Sequence, residues 1–270
     1  DKTRDESKVG SGFGKNISYW IKRDMALSDT EVSLIQGFAF AIFYALMALP
    51  LGRWADLRNR RNLIIYGVLL WSAATFACGL AGGFLALFTL RMLVGVGEAT
   101  LSPAGMSMLA DYVPPERAAR PISMFTGASF MGTGLALIGG GFVLQQIAAM
   151  GPVTLPLLGP MAEWRIAFLV AALPGVAVVL KQLLVREPPR MSYGLKSEQG
   201  ATLKDTFAFA ARERGLLLPI FIGLPILAAA QFALGSWIPS FFIRTHGISA
   251  PEIGYAYGLN VSIFGAGGVA

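Results

Sequence analysis

The chain has 270 residues, of which 54% are hydrophobic and only 14% charged, with a mean hydropathy of +0.59. A soluble domain of this length carries about 25% charged residues, so the composition excludes an ordinary water-soluble domain and predicts an all-α, polytopic membrane protein. One Cys and one His exclude a disulfide framework and a Cys/His zinc cluster, and no G-x-S-x-G, H-E-x-x-H or Walker loop occurs.

Residues 1–16 form a polar, glycine-rich tail whose composition predicts disorder. Ser28-Asp29-Thr30-Glu31 is a capping-box pattern that starts a helix. Val32 to Leu51 is uncharged and long enough to span a bilayer, which needs about 20 residues of helix. The loop Gly52 to Arg61 reads GRWADLRNRR, and Leu63 to Gly83 is the next span. Phe84 to Ala110 follows as one long apolar helix that stops at Pro114 and Pro115. Pro121 to Met150 spans again, with six glycines that let helices approach closely. Gly151 to Trp164 reads as a loop, and Ile166 to Val185 as a span that stops at REPPR, Arg186 to Arg190. Leu203 to Arg214 has the pattern of an amphipathic surface helix. Gly215 to Ile243 spans, and Glu252 to Ala270 opens a last helix.

The helix from Phe84 to Ala110 carries two charges, Arg91 and Glu98. Each would cost roughly 2.5–3.5 kcal/mol at a lipid-facing helix centre. Seven residues separate them, so they project from nearly the same face, with Gly95 between them. That face is expected to line a polar cavity inside a helical bundle; the alternative is an ion pair that only locks helices together. The rise per residue sets the two about 10 Å apart along the axis, too far for a simple direct salt bridge.

Loops 52–61, 111–120 and 181–214 hold 13 of the 22 Lys and Arg, against 4 on the alternate side. The positive-inside bias therefore predicts that these three loops are cytoplasmic, and it accounts for the net charge of +6 without nucleic acid. Cysteines placed at Ser197 and Thr154, with Cys78 removed, are expected to label from opposite sides of the membrane. Labelling of both from one side would refute the orientation.

Leu27 to Gly37, LSDTEVSLIQG, is similar to Ile248 to Gly258, ISAPEIGYAYG. Both carry Ser-x-x-Glu followed by a glycine six residues after the Glu, and Arg23 aligns with Arg244. A parallel repeat of this kind predicts two related halves. A full span precedes Ile248, whereas only Ile17 to Ile21 remains of one before Leu27. The expectation is that the first helix is missing, that the second half is cut early, and that the chain alone does not complete a transport cycle.

GRWADLRNRR resembles the loop between helices 2 and 3 of the major facilitator superfamily, with matches at Gly52, Asp56, Arg60 and Arg61 and departures at Leu57 and Asn59. Arg91 to Ala99, RMLVGVGEA, resembles that family's helix 4, and VREPPR the end of helix 6. The segments around residues 28–56 and 94–120 are most similar to its Spinster branch. The resemblance implies a partial helical bundle, made of helices 2–6 of the first half, helix 7 and part of helix 8. The implied domains are 17–186 for the first bundle, 187–214 for a cytoplasmic linker and 215–270 for the start of the second.

It further implies a proton-coupled secondary transporter in the plasma membrane (the inner membrane of a bacterium), working by alternating access on an amphipathic or anionic organic substrate such as a lysolipid or sphingoid lipid. Arg91 would attract a carboxylate or phosphate and Glu98 would carry the proton. Gly52, Asp56, Arg60 and Arg61 would form the gating motif, with a solvated topogenic loop as the alternative. The implied partners are a small-molecule or lipid substrate, protons and membrane lipids, with no nucleic acid, no cofactor, no metal and a monomeric chain. The competing readings are a proton-coupled importer of small organic anions such as sugar acids, and a transport-inactive receptor or scaffold. An intramembrane enzyme is disfavoured, because no nucleophile–base pair is present.

Overall fold

The computed structural model describes residues 17–150, 153–155, 159–190, 203–265 and 267–268. The tail 1–16 and residues 191–202 of the linker, Ser197 among them, lie outside the described residues. Six helices are long and apolar enough to cross a membrane: Asp29–Leu57, Arg60–Cys78, Phe84–Tyr112, Ala119–Ile147, Glu163–Leu184 and Arg214–Ile243. They coincide with the six full spans read from hydropathy.

The chain divides into two compact units. One comprises residues up to Pro189 together with those from Ser249, and the other runs from Arg190 to Ile248. The first unit begins with α1 (Ile17–Asp24) and α2 (Asp29–Ser33). A single π-helical turn, Leu34–Phe38, then joins α2 to α3 (Ala39–Leu57). Next come α4 (Arg60–Cys78), α5 (Phe84–Glu98), α6 (Leu101–Tyr112) and α7 (Ala119–Met150). The segment expected to be a loop holds a small antiparallel hairpin, β1 (Val153–Leu155) and β2 (Gly159–Met161). Its three-residue strands are too short to show alternation in the sequence. α8 (Glu163–Leu184) follows.

The second unit contains α9 (Leu203–Arg212) and α10 (Arg214–His246). α10 ends at Gly247, whose φ of 66° is a left-handed cap that glycine adopts without a Cβ clash. α11 (Ala250–Asn260) returns to the first unit. The repeat is visible in the backbone. Ser28 with Glu31, and Ser249 with Glu252, both form complete capping boxes; the π turns do not follow the repeat, since the second, Val261–Gly265, comes after α11.

Helix packing in the first unit relies on backbone contact. A Cβ on Gly97 would lie 2.8 Å from both the Gly67 carbonyl oxygen and the Trp71 backbone nitrogen, so α4 and α5 touch through their main chains. Around this contact pack Val68, Ala99, Ala104 and Met108. Gly97→Ala is therefore expected to lower stability by about 1–3 kcal/mol through overpacking, read as the thermal midpoint in detergent. An unchanged midpoint would show that the pair separates freely.

A second core holds Leu87, Cys78, Ile35 and the fully buried Trp164. The indole Nε1 of Trp164 donates to Asp24 Oδ2 at 3.0 Å. Arg165 Nη1 donates to the carbonyls of Ala81 at 2.7 Å and Gly79 at 3.3 Å, which satisfies the end of α4. Its guanidinium also stacks 4.5 Å above the Trp164 ring. α1, α8 and the turn after α4 are thereby tied at one end of the unit.

Candidate functional site

The span from Phe84 to Tyr112 differs from the continuous helix expected. It breaks after Glu98, and α6 restarts at Leu101. Pro103 supplies the reason: it has no N–H for the carbonyl four residues back, and its ring crowds that carbonyl. The Thr100 hydroxyl instead donates to the Gly97 carbonyl at 2.8 Å. Glu98 is thus the last residue of α5, at the midpoint of the whole span.

Arg91 and Glu98 are both half-buried. The Arg91 guanidinium lies 5.9 Å from the centroid of the Phe40 ring, within the range of a cation–π contact. Gly95, one turn on, permits this approach, since a Cβ there would sit 2.5 Å from the Phe40 carbonyl oxygen. Phe40 stacks on Tyr44 with centroids 5.6 Å apart, and Tyr44 Oη lies 3.3 Å from Ser102 Oγ. Among the described residues Glu98 takes part in no hydrogen bond and no ion pair, so it is not bridged directly to Arg91. Sequence reasoning missed Phe40, Tyr44 and Ser102. Their signal was available: Phe40 and Tyr44 are four apart on one helix, and Ser102 follows Glu98 by four. Together these groups offer a cation beside an aromatic ring, a hydroxyl pair and a carboxyl that no described residue hydrogen-bonds. Such a set can hold an anionic group and exchange a proton.

The loop motif is divided by the structure. Arg60 is completely buried. Its Nε donates to Glu187 Oε1 at 2.7 Å, and its Nη1 to the Ser107 carbonyl at 3.2 Å, to Ser107 Oγ at 3.0 Å and to Asp111 Oδ2. Its Nη2 donates to the Pro188 carbonyl at 3.1 Å. Arg61 bonds the other Glu187 oxygen through its backbone N–H at 2.8 Å, and its guanidinium caps the Gln182 and Leu183 carbonyls at the end of α8. Tyr112 Oη adds a bond to the Arg186 carbonyl. Asp56, by contrast, is exposed and makes no hydrogen bond or ion pair among the described residues. Gly52 is half-buried, and a Cβ there would make ordinary contact with Pro103. The partners of the two arginines, Asp111, Ser107 and Glu187, were not foreseen, because they lie 47–127 residues away in sequence.

Burial raises the Glu187 pKa, but the Arg61 N–H and the Arg60 guanidinium outweigh it and hold the carboxyl below its ordinary value near 4.5. A depressed folded-state pKa contributes stability that is present above the unfolded value and lost as pH falls through the folded one. The thermal midpoint is expected to fall on acidification below about pH 4.5, and less steeply in Glu187→Gln. Identical acid profiles would remove Glu187 from the cluster's energetics.

No group of three or more His, Cys, Asp or Glu among the described residues is arranged to hold a metal ion. Residues 11–270 match the profile of the Major Facilitator Superfamily. An MFS-type efflux pump of Mycolicibacterium smegmatis is 30% identical over 255 residues, covering 92% of this chain and 54% of that protein. Protein spinster homolog 1 of Xenopus tropicalis is 30% identical over 234 residues, covering 83% of this chain and 41% of that protein. A crystal structure of a bacterial homolog to the human lysosomal transporter Spinster, inward-facing and unoccupied, superposes with a TM-score of 0.70 at 30% identity. That superposition covers 92% of this chain and 55% of the other. The chain spans about half the length of the curated relatives it matches.

Proposed function

The chain belongs to the Major Facilitator Superfamily and is an integral, multi-pass membrane protein, and from that premise we propose that it forms part of a proton-coupled secondary transporter of an amphipathic or anionic organic substrate. Arg91 attracts the substrate's carboxylate or phosphate, and Glu98 takes up and releases the proton. The observation that carries this reading is the placement of both groups, half-buried, in one apolar span, with Glu98 at the helix break and, among the described residues, in no hydrogen bond or ion pair. A merely structural pair would be expected to bond each other or a neighbouring helix.

Phe40 offers the Arg91 guanidinium a cation–π contact that leaves the cation able to meet an incoming anion. The cluster of Arg60, Arg61, Asp111 and Glu187 ties helix ends on the side assigned to the cytoplasm by loop charge, where it would act as the rigid base of a gate. The Spinster-like motifs of the sequence motivate the lipid-like form of that substrate. The test is binding of lysophospholipids, sphingoid bases and sugar acids to the purified chain, by tryptophan fluorescence and calorimetry. Lysophospholipid binding that weakens in Arg91→Ala supports the reading. Preference for sugar acids favours a small-anion carrier, and absence of binding to every class refutes the proposal.

A further inference from the structure

A groove of about 630 Å³ opens between the end of α3 and the start of α4. It is separate from the Arg91–Glu98 face and from the buried Arg60 cluster. Pro50, Arg53, Trp54 and Leu57 line it from α3, at the i, i+3, i+4, i+7 spacing of one helix face. Arg58, Asn59, Asn62, Leu63 and Tyr66 complete it. Two arginines and two asparagines face it, and none of the described residues lining it is a carboxylate. Asp56 is not among the lining residues.

Position completes the argument. The arginines stand where the span Asp29–Leu57 ends and the span from Arg60 begins, so the groove straddles the boundary between hydrocarbon and headgroups. Trp54, Leu57 and Tyr66 are each at least half exposed along its wall. Trp and Tyr favour that depth of a bilayer, and arginines just outside the hydrocarbon attract anionic headgroups. An inorganic anion would leave the apolar wall uncovered, whereas a phospholipid covers it with acyl chain.

We propose that this groove binds one anionic phospholipid, with the phosphate between Arg53 and Arg58, hydrogen bonds from Asn62, and an acyl chain along Trp54, Leu57 and Tyr66. The lipid comes from the surrounding leaflet and docks against α3 and α4.

Native mass spectrometry of the purified chain tests this, with phosphatidylglycerol against phosphatidylcholine of the same acyl chains. The expected result is about 25-fold tighter binding of phosphatidylglycerol, with roughly fivefold of that preference lost per arginine in Arg53→Gln and Arg58→Gln. The double variant should bind both lipids alike. All these side chains are exposed, so circular dichroism should stay unchanged; if the double variant loses helix, the single variants decide. Trp54→Ala with Tyr66→Ala should weaken both lipids, by loss of the apolar wall. Millimolar glycerol phosphate should not displace phosphatidylglycerol. Equal affinity for the two lipids, or unchanged preference in the arginine variants, would overturn the proposal. Displacement by glycerol phosphate would make this a soluble-anion site and overturn it equally.

Discussion

Arg60→Ala is expected to lower the unfolding free energy by about 3–5 kcal/mol, the usual cost of removing one partner from a buried ion cluster. The side chain is fully shielded from solvent and uses all three guanidinium nitrogens. Its removal leaves Asp111 and Glu187 facing each other without the intervening cation, and leaves the Pro188 carbonyl without its donor. Arg60→Lys should recover little. An ammonium is a compact point charge and cannot reach Glu187, Asp111 and Pro188 together, as the planar fork does. Asp56→Ala, at an exposed side chain with no hydrogen bond or ion pair among the described residues, should stay within about 0.5 kcal/mol of the parent. Thermal and denaturant unfolding in detergent gives all three values. Equal stability of Arg60→Ala and Asp56→Ala would reduce the cluster to an incidental contact.

The largest functional effect is expected at Glu98. Glu98→Gln keeps the shape and the hydrogen-bonding capacity of the side chain but removes its proton chemistry. Ligand binding should survive while its dependence on pH disappears, and proton release on binding should fall to zero. In a chain carrying both halves of the fold, proton-driven transport should stop. Arg91→Ala should weaken anionic ligands about 10- to 150-fold, the worth of a hydrogen bond to a charged group, and neutral analogues far less. Arg91→Lys should not restore them, since an ammonium is a point charge without the guanidinium's bidentate fork. Binding and proton release against pH, for the three variants, separate these roles. An unaltered pH dependence in Glu98→Gln would leave Glu98 a structural residue.

The spans were legible because twenty apolar residues in a row admit few other structures. The capping boxes were legible because they are local, closed by residues three apart. Arg91 and Glu98 stood out because charge is rare in such a span. What escaped was of two kinds. Pro103 sat in plain view, but its effect falls four residues earlier, on the carbonyl beside Glu98, so the helix looked continuous. The partners of Arg60 escaped because nothing local ties residue 60 to residue 187. The loop motif grouped Asp56 with the two arginines as one gating set. The helix geometry instead turns Asp56 outward and brings Asp111 and Glu187 in.

The reach of Arg60 also has a consequence for biosynthesis. Its guanidinium is complete only when residue 187 has been made, 127 residues later. At the usual elongation rate of about 5–20 residues per second, that is roughly 6–25 s after Arg60 leaves the ribosome. Asp111, made 51 residues after Arg60, supplies its first carboxylate, and before that the arginine is a hydrated cation at the start of α4. It can therefore serve first as a topological signal that retains its loop on the side of synthesis. Only afterwards, when Glu187 and Pro188 arrive, does the same residue become the clasp of the finished bundle. One side chain thus acts twice, early as an address and late as a fastener, and the order of the two acts is set by chain length alone.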